Sequence, residues 1–138
     1  MSNALDDAKR DELVEAATAV RQRAYAPYSH FLVGAAVMAA GEIFAAPNIE
    51  NASYPLSVCA ERNACAVAVA AGNTQIEAVA VVGTGDKPTP PCGGCRQVLF
   101  EFGGADLMVI VASPSGARAV WTLAELLPSA FGPRDLNV

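Results

Sequence analysis

Three cysteines and one glutamate have the spacing of a catalytic metal site. Glu61 follows Cys59 by two residues in the stretch VCAERNAC, and Cys92 and Cys95 form a C-x-x-C pair in PPCGGCRQ. Thiolates bind Zn²⁺ in tetrahedral geometry, and a site with only three protein ligands leaves the fourth position open for water. The pattern therefore predicts a catalytic zinc site rather than a closed structural one.

Glu61 is the predicted proton carrier of this site. Residues i and i+2 of a helix point in different directions, so Glu61 need not compete with Cys59 for the ion yet stays close to its water. Zinc lowers the pKa of a bound water to about 7, and a neighbouring carboxylate can take its proton. Three thiolates oppose this effect because they outweigh the charge of the ion. Arg62 is the nearest donor that could offset them.

Other interpretations of the cysteines remain open at this point. A C-x-x-C pair alone also fits half of a zinc ribbon, a redox dithiol or two core residues. Cys65 lies nearly two helical turns beyond Cys59, which favours a core position. His30, the only histidine, is an alternative fourth ligand, although a lone histidine is more often an ordinary polar side chain. A non-catalytic zinc or redox module is thus the competing class of function.

Hydrophobic periodicity and turn signals divide the chain into nine elements. They are helices over 5–23, 55–71, 93–102 and 122–127, and strands over 32–40, 42–46, 76–83, 107–112 and 117–121, with the first two strands paired as one hairpin. Gly72 is predicted to end the second helix, and Thr122 with Glu125 forms a capping box that opens the last one.

This order of elements predicts the fold class. Strands that alternate with helices indicate an α/β domain with a mixed five-stranded sheet covered on both faces, a three-layer α/β/α sandwich. Cys59 then lies in the first turn of the second helix, while Cys92 and Cys95 lie at the start of the third. The positive end of a helix dipole favours thiolate over thiol, so all three sulfurs stand where metal binding is favoured.

Composition restricts the remaining classes of function. The 138 residues fit one domain spanning 1–138. A net charge of −5 without any Lys/Arg cluster argues against a nucleic acid polymer as partner. The apolar runs fall short of the roughly 18 residues that a membrane span needs. The charged N-terminal stretch has no apolar signal region, so we expect a cytoplasmic protein with reduced cysteines.

The combined motifs resemble a known family. C-A-E at 59–61 followed by P-C-G-G-C at 91–95 is similar to the signature of the zinc nucleobase deaminases, in its all-cysteine version. The rest of the chain resembles the small homotetrameric cytidine deaminases of nucleoside salvage over nearly its whole length. The blocks that carry this likeness are YAPYSHFLVGAAV, NIENASYPLSVCAER and LLPSAFGPRDL.

The resemblance implies a reaction. One zinc ion per chain, held by Cys59, Cys92 and Cys95, is expected to activate water for attack on C4 of the cytosine ring. Glu61 is expected to carry a proton from that water to N3 and then to the departing ammonia. The products are uridine or deoxyuridine. A deaminase of another aminopyrimidine nucleoside, such as a nucleoside antibiotic, is the alternative within this fold.

The resemblance also implies how a nucleoside is held. Asn48 and Glu50 match the family's ligands of the ribose 3′-hydroxyl. Phe31 matches the aromatic residue that packs against the pyrimidine, and the backbone of Ala60 matches the group that binds the pyrimidine carbonyl oxygen.

Further implied roles lie around the zinc ligands and between subunits. Arg62 matches a residue that donates to the zinc-bound sulfurs. Tyr54 and Phe131 match residues that complete a neighbouring subunit's pocket, which implies a homotetramer with composite active sites. The sequence departs from the family at Pro47, where a small residue is usual before the asparagine, and at Arg134, where an acidic residue is usual.

Overall fold

The computed structural model of this protein describes residues 5–136. The helices are α1 (Asp7–Arg21), α2 (Ala60–Ala70), α3 (Gly93–Gly103) and α4 (Leu123–Leu126), and the strands are β1 (Gly34–Ala39), β2 (Glu42–Pro47), β3 (Ala78–Val82), β4 (Met108–Ala112) and β5 (Arg118–Thr122). Two short 3₁₀ helices cover Tyr54–Leu56 and Pro133–Leu136. No helix within residues 5–136 is long and apolar enough to cross a membrane.

The five strands form one mixed sheet in the order β2-β1-β3-β4-β5. β1 runs antiparallel to both β2 and β3, β3 runs parallel to β4, and β4 runs antiparallel to β5. The parallel pair is joined by α3, as a crossover between parallel strands requires. The predicted mixed five-stranded sheet is confirmed.

Helices cover both faces of this sheet, so the predicted three layers are confirmed. α1 packs on one face through Leu13, Val14 and Ala17. α2, α3 and α4 pack on the other face, where a larger core forms around Val37, Val79, Val81, Val109, Val111, Leu99 and Leu123. Every residue of β1 and β3 is buried, as expected for strands sandwiched between two helical layers.

The contact between α1 and the sheet is close at Gly34. A Cβ added there would clash with the carbonyl oxygen of Ala17 and lie 2.7 Å from the backbone nitrogen of Arg21. Only glycine leaves room for this approach, because it has no side chain. The start of β1 is therefore pressed against the C-terminal half of α1.

The predicted start of the second helix at residue 55 is wrong. Tyr54–Leu56 forms a separate 3₁₀ turn, and α2 begins only at Ala60. The reason is a backbone bridge between Ile49 and Val58, whose N–H groups donate to each other's carbonyls at 3.0 and 2.9 Å. This bridge keeps Val58 extended, so the helix cannot form before Cys59.

Two signals for helix ends that were predicted from the sequence are confirmed. Gly72 follows α2 with a φ of +96°, a left-handed conformation that favours glycine. Thr122 and Glu125 form the capping box of α4.

Candidate active site

The three predicted metal ligands converge where two helices begin. Cys59 is the N-cap of α2 rather than a residue of its first turn as predicted, and Cys92 is the N-cap of α3, with Cys95 in its first turn. The three Sγ atoms lie within 4.8 Å of one another, and those of Cys59 and Cys92 are 3.9 Å apart. Tetrahedral ligands at a Zn–S distance of about 2.3 Å would be about 3.8 Å apart. The donor set fits zinc in both chemistry and spacing.

The thiols of Cys59 and Cys95 shift each other's pKa in opposite directions. A hydrogen bond from Cys95, supported by one from Cys92 and by the charge of Arg62, lowers the pKa of Cys59 to about 6. The same interaction raises the pKa of Cys95, because its proton stabilises the neighbouring thiolate. The cluster therefore loses its first proton readily, as a soft metal ligand should.

Glu61 lies beside this cluster and is almost removed from water. It is the second residue of α2, and only 5% of its surface is exposed. Burial raises the pKa of its carboxyl to about 7, and the charge of Cys59 adds to the effect, while hydrogen bonds from its own backbone N–H and from Cys95 oppose it. A carboxyl group with this pKa can both accept and release a proton near neutral pH.

A cavity of about 270 Å³ connects Glu61 and two of the sulfurs to the surface. Its lining residues are Ser29, Phe31, Val33, Asn48, Glu50, Cys59, Ala60, Glu61, Val81, Gly83, Thr89, Pro90 and Cys92. Apolar walls with a few polar groups are typical of a small-molecule site. Most of the predicted substrate-binding residues are thus brought together with the metal ligands.

One wall of the cavity is a segment held by side-chain hydrogen bonds. Asn48 accepts a hydrogen bond from the backbone N–H of Val33 and donates one to the carbonyl of Phe31, both at 2.9 Å. The Thr84 hydroxyl accepts from the N–H of Leu32 at 2.8 Å and donates to its carbonyl at 2.7 Å. Phe31 is therefore carried on a backbone that is fixed from two sides.

Glu50 is held where the first cavity meets a second one. Its carboxylate accepts hydrogen bonds from the N–H groups of Tyr28 at 3.0 Å and Ser29 at 3.2 Å, and from the Ser29 hydroxyl. The Ser29 hydroxyl is the main cause that keeps the pKa of this carboxyl below its usual value. A second cavity of about 360 Å³, lined by Tyr28, Ser29, Glu50, Tyr54 and Ser57, adjoins the first.

Besides the buried Cys95, three of the predicted residues lie outside the first cavity. Tyr54 and Phe131 are 70% and 58% exposed, and neither lines the cavity. Arg62 is exposed and forms no side-chain hydrogen bond within residues 5–136. Its contribution to the cluster is the charge that helps to lower the pKa of Cys59.

Sequence reasoning missed several residues that shape the site. Ser29 and Thr84 are joined to Glu50 and Leu32, which are distant in sequence. Ser29 stands inside the YSHF block, which is a signal that could have found it, whereas Thr84 lies in a turn-rich stretch without a distinguishing pattern. Arg96 was also missed, although it directly follows Cys95.

Comparison with known proteins gives consistent matches. A sequence model of the cytidine and deoxycytidylate deaminase zinc-binding region matches residues 7–112. A cytidine deaminase of Halalkalibacterium halodurans is 45% identical over 129 residues, which cover 93% of this chain and 98% of that protein. A crystal structure of cytidine deaminase from Burkholderia pseudomallei is similar with a TM-score of 0.85 and 48% identity, over 88% of this chain and 98% of that one. One from Mycobacterium tuberculosis has a TM-score of 0.80 and 38% identity, over 91% and 99%.

Proposed function

Because the chain belongs to the cytidine and deoxycytidylate deaminase family, we propose that it catalyses zinc-dependent hydrolysis of cytidine and deoxycytidine to uridine and deoxyuridine, with release of ammonia. The observation that carries this proposal is the cluster of three sulfurs within 4.8 Å beside a buried carboxyl group on one cavity. Neither a redox dithiol nor a closed zinc site accounts for that carboxyl group.

Each group at the bottom of the cavity has a role in this reaction. Zinc held by Cys59, Cys92 and Cys95 would lower the pKa of a water molecule and orient it towards C4 of the pyrimidine. Glu61 would take a first proton from this water and deliver it to N3 while the oxygen bonds to C4. It would then take the remaining hydroxyl proton and pass it to the amino group, which leaves as ammonia when the C4–N bond breaks. Its pKa near 7 suits both directions of transfer.

The walls of the cavity suit a pyrimidine nucleoside. Phe31 packs against the ring. Ala60 is the first residue of α2, so its backbone N–H has no partner within the helix and can donate to the pyrimidine carbonyl oxygen. Asn48 and Glu50 line the same cavity and would bind the ribose 3′-hydroxyl, and the lowered pKa of Glu50 keeps its carboxylate ionised as an acceptor.

The charges around the cavities favour a nucleoside over a nucleotide. The residues that line the two adjoining cavities include the carboxyl groups of Glu50 and Glu61 but no lysine, arginine or histidine. A 5′-phosphate would meet negative charge without a compensating cation, which weakens binding. Cytidine and deoxycytidine are therefore the proposed substrates, and deoxycytidylate is not.

The proposed assembly is a homotetramer with composite active sites in the cytoplasm. Tyr54 and Phe131 expose large aromatic surfaces, and Val67 and Val69 expose apolar surface on the outer side of α2. A neighbouring copy of the chain that covers these residues would bring Phe131 to another subunit's cavity. A measurement of the mass in solution tests the tetramer. If Phe131→Ala keeps that mass but deaminates cytidine more slowly, the composite site is supported.

The experiment that tests the function measures the loss of ultraviolet absorbance with cytidine, deoxycytidine and deoxycytidylate, with and without a zinc chelator. We expect turnover of the two nucleosides only, abolished by chelation and restored by zinc. The matched control is Glu61→Gln, which should keep one zinc per chain and lose several orders of magnitude in kcat because the proton carrier is gone. Full activity in that variant, or none in the zinc-loaded wild type, would contradict the proposal.

A further inference from the structure

Arg96 joins the metal-ligand loop to the C-terminal helix. Its Nε donates to the carbonyl oxygen of Pro91 and its Nη1 to that of Leu126, both at 2.7 Å. Pro91 immediately precedes Cys92, and Leu126 is the last residue of α4. Hydrogen bonds from a charged donor at this distance are among the stronger ones in proteins.

The loop before Cys92 has few other restraints. Residues 84–91 form neither helix nor strand, and three of them are prolines, which cannot donate a backbone hydrogen bond. Thr84 at the start of this loop is bound to Leu32 at 2.7 and 2.8 Å, but beyond it, within residues 5–136, the carbonyls of Asp86 and Lys87 accept only long side-chain hydrogen bonds, both at 3.5 Å. The bond from Arg96 to the Pro91 carbonyl is short and lies next to the ligand. The position of Cys92 therefore depends on Arg96 more than on residues 85–90 of the loop.

The second contact of Arg96 explains why arginine is suited to this position. The carbonyl groups of the last turn of a helix lack partners within the helix, so a donor that reaches the Leu126 carbonyl satisfies one of them. The planar guanidinium group can donate to two carbonyls in different directions, which a lysine ammonium on a flexible stem does less well. One side chain thus fixes the Pro91 carbonyl relative to α4.

We propose that Arg96 is a positioning residue for the metal site, which holds Cys92 at the distance from Cys59 that zinc requires and makes metal retention depend on α4. This inference rests on the proposed function only in naming zinc as the metal. Arg96 touches neither the substrate cavity nor the reacting atoms, so it acts through the ligand loop.

The test compares Arg96→Met and Arg96→Lys with Arg10→Met in the zinc-loaded protein. Arg10 is a matched control because it is also half-buried and donates its Nε to a backbone carbonyl five residues earlier, that of Leu5, at 3.1 Å. We expect Arg96→Met to release zinc to a chelating dye about 10 to 100 times faster, the usual effect of losing a residue that orients a ligand. Arg96→Lys should be intermediate, and Arg10→Met should match the wild type.

A second readout separates positioning from a purely structural role. In the cobalt-substituted protein, displacement of Cys92 should shift or weaken the thiolate-to-metal absorption band in Arg96→Met but not in Arg10→Met. If Arg96 only anchors α4, its variants will unfold at lower temperature while releasing zinc at the wild-type rate and keeping the cobalt spectrum, and the inference is overturned. Neither zinc release nor the cobalt spectrum involves a nucleoside. If the variants show the expected zinc release but the wild type does not deaminate cytidine, the proposed function is refuted and the role of Arg96 stands.

Discussion

Replacing Asn48 should loosen the wall that carries Phe31. In Asn48→Ala the backbone N–H of Val33 and the carbonyl of Phe31 each lose a 2.9 Å hydrogen bond. Each bond contributes about 1 kcal/mol net, so the expected loss in free energy of unfolding is about 2 kcal/mol. With an unfolding entropy of about 2.1 cal/mol/K per residue, this lowers the Tm of a 138-residue chain by about 7 °C.

The variant Asn48→Asp tests the direction of these bonds. The introduced carboxylate can still accept from the N–H of Val33, but it can no longer donate to Phe31 and places a negative oxygen against that carbonyl. Folding therefore favours its protonated form and raises its pKa above the unfolded value of about 3.9. The stability lost relative to the wild type should be largest at neutral pH and should be regained as the pH falls through the raised folded pKa.

The assay is thermal unfolding of zinc-loaded protein from pH 4 to pH 8, with wild type and both variants at each pH, together with kcat/KM for cytidine. Both variants should also lose kcat/KM, because each weakens the wall that carries Phe31 and alters the proposed ribose ligand. Variants that melt with the wild type at every pH would show that Thr84 alone holds the segment, and the reasoning about Asn48 would be refuted.

Two further substitutions test the packing and burial described above. Gly34→Ala should destabilise the fold by about 3 kcal/mol, because the new Cβ meets the Ala17 carbonyl and α1 must move away from β1; denaturant unfolding measures this, and an unchanged midpoint would contradict the close contact. Burial raises the pKa of the Cys65 thiol from 9.0 to about 11. The protonated thiol therefore contributes fully to stability below pH 9. This contribution declines as the pH rises from 9 to 11, because the unfolded chain loses the proton at lower pH than the folded chain. In Cys65→Ala, Tm should fall less between pH 9 and pH 11 than it does in the wild type. If Tm falls equally in both proteins, the Cys65 thiol makes no such contribution to stability.

The sequence predicted the elements well because their signals are local. Apolar periodicity, Gly72 and the capping box of α4 each depend on neighbouring residues, and each matches the structure. The start of α2 was missed because the bridge from Ile49 to Val58 forms between segments that meet only in the folded chain. Local propensity at Pro55 could not reveal it.

The metal ligands could also be predicted from local signals, whereas the long-range contacts of the site could not. The convergence of Cys59, Cys92 and Cys95 follows once two helices begin side by side on one face of a sheet. The sequence indicated the start of α3 correctly, but it placed the start of α2 at residue 55 instead of Ala60. The contact between Thr84 and Leu32 spans 52 residues, and that between Arg96 and Leu126 spans 30. Such contacts depend on how loops close over the finished sheet, for which the sequence carries no periodic signal.

The use of cysteine as the N-cap of both α2 and α3 links occupancy of the metal site to the persistence of the fold. Neither cysteine forms the side-chain capping hydrogen bond that a serine or aspartate would supply, which leaves each helix start weaker by about 1 kcal/mol. An ion bound to both sulfurs connects two helix ends that the chain itself leaves poorly secured. Because such an ion binds only the folded state, free metal at about 1,000 times its Kd adds about 4 kcal/mol to the free energy of unfolding. Scarcity of the metal would therefore shorten the lifetime of the protein as well as stop its chemistry.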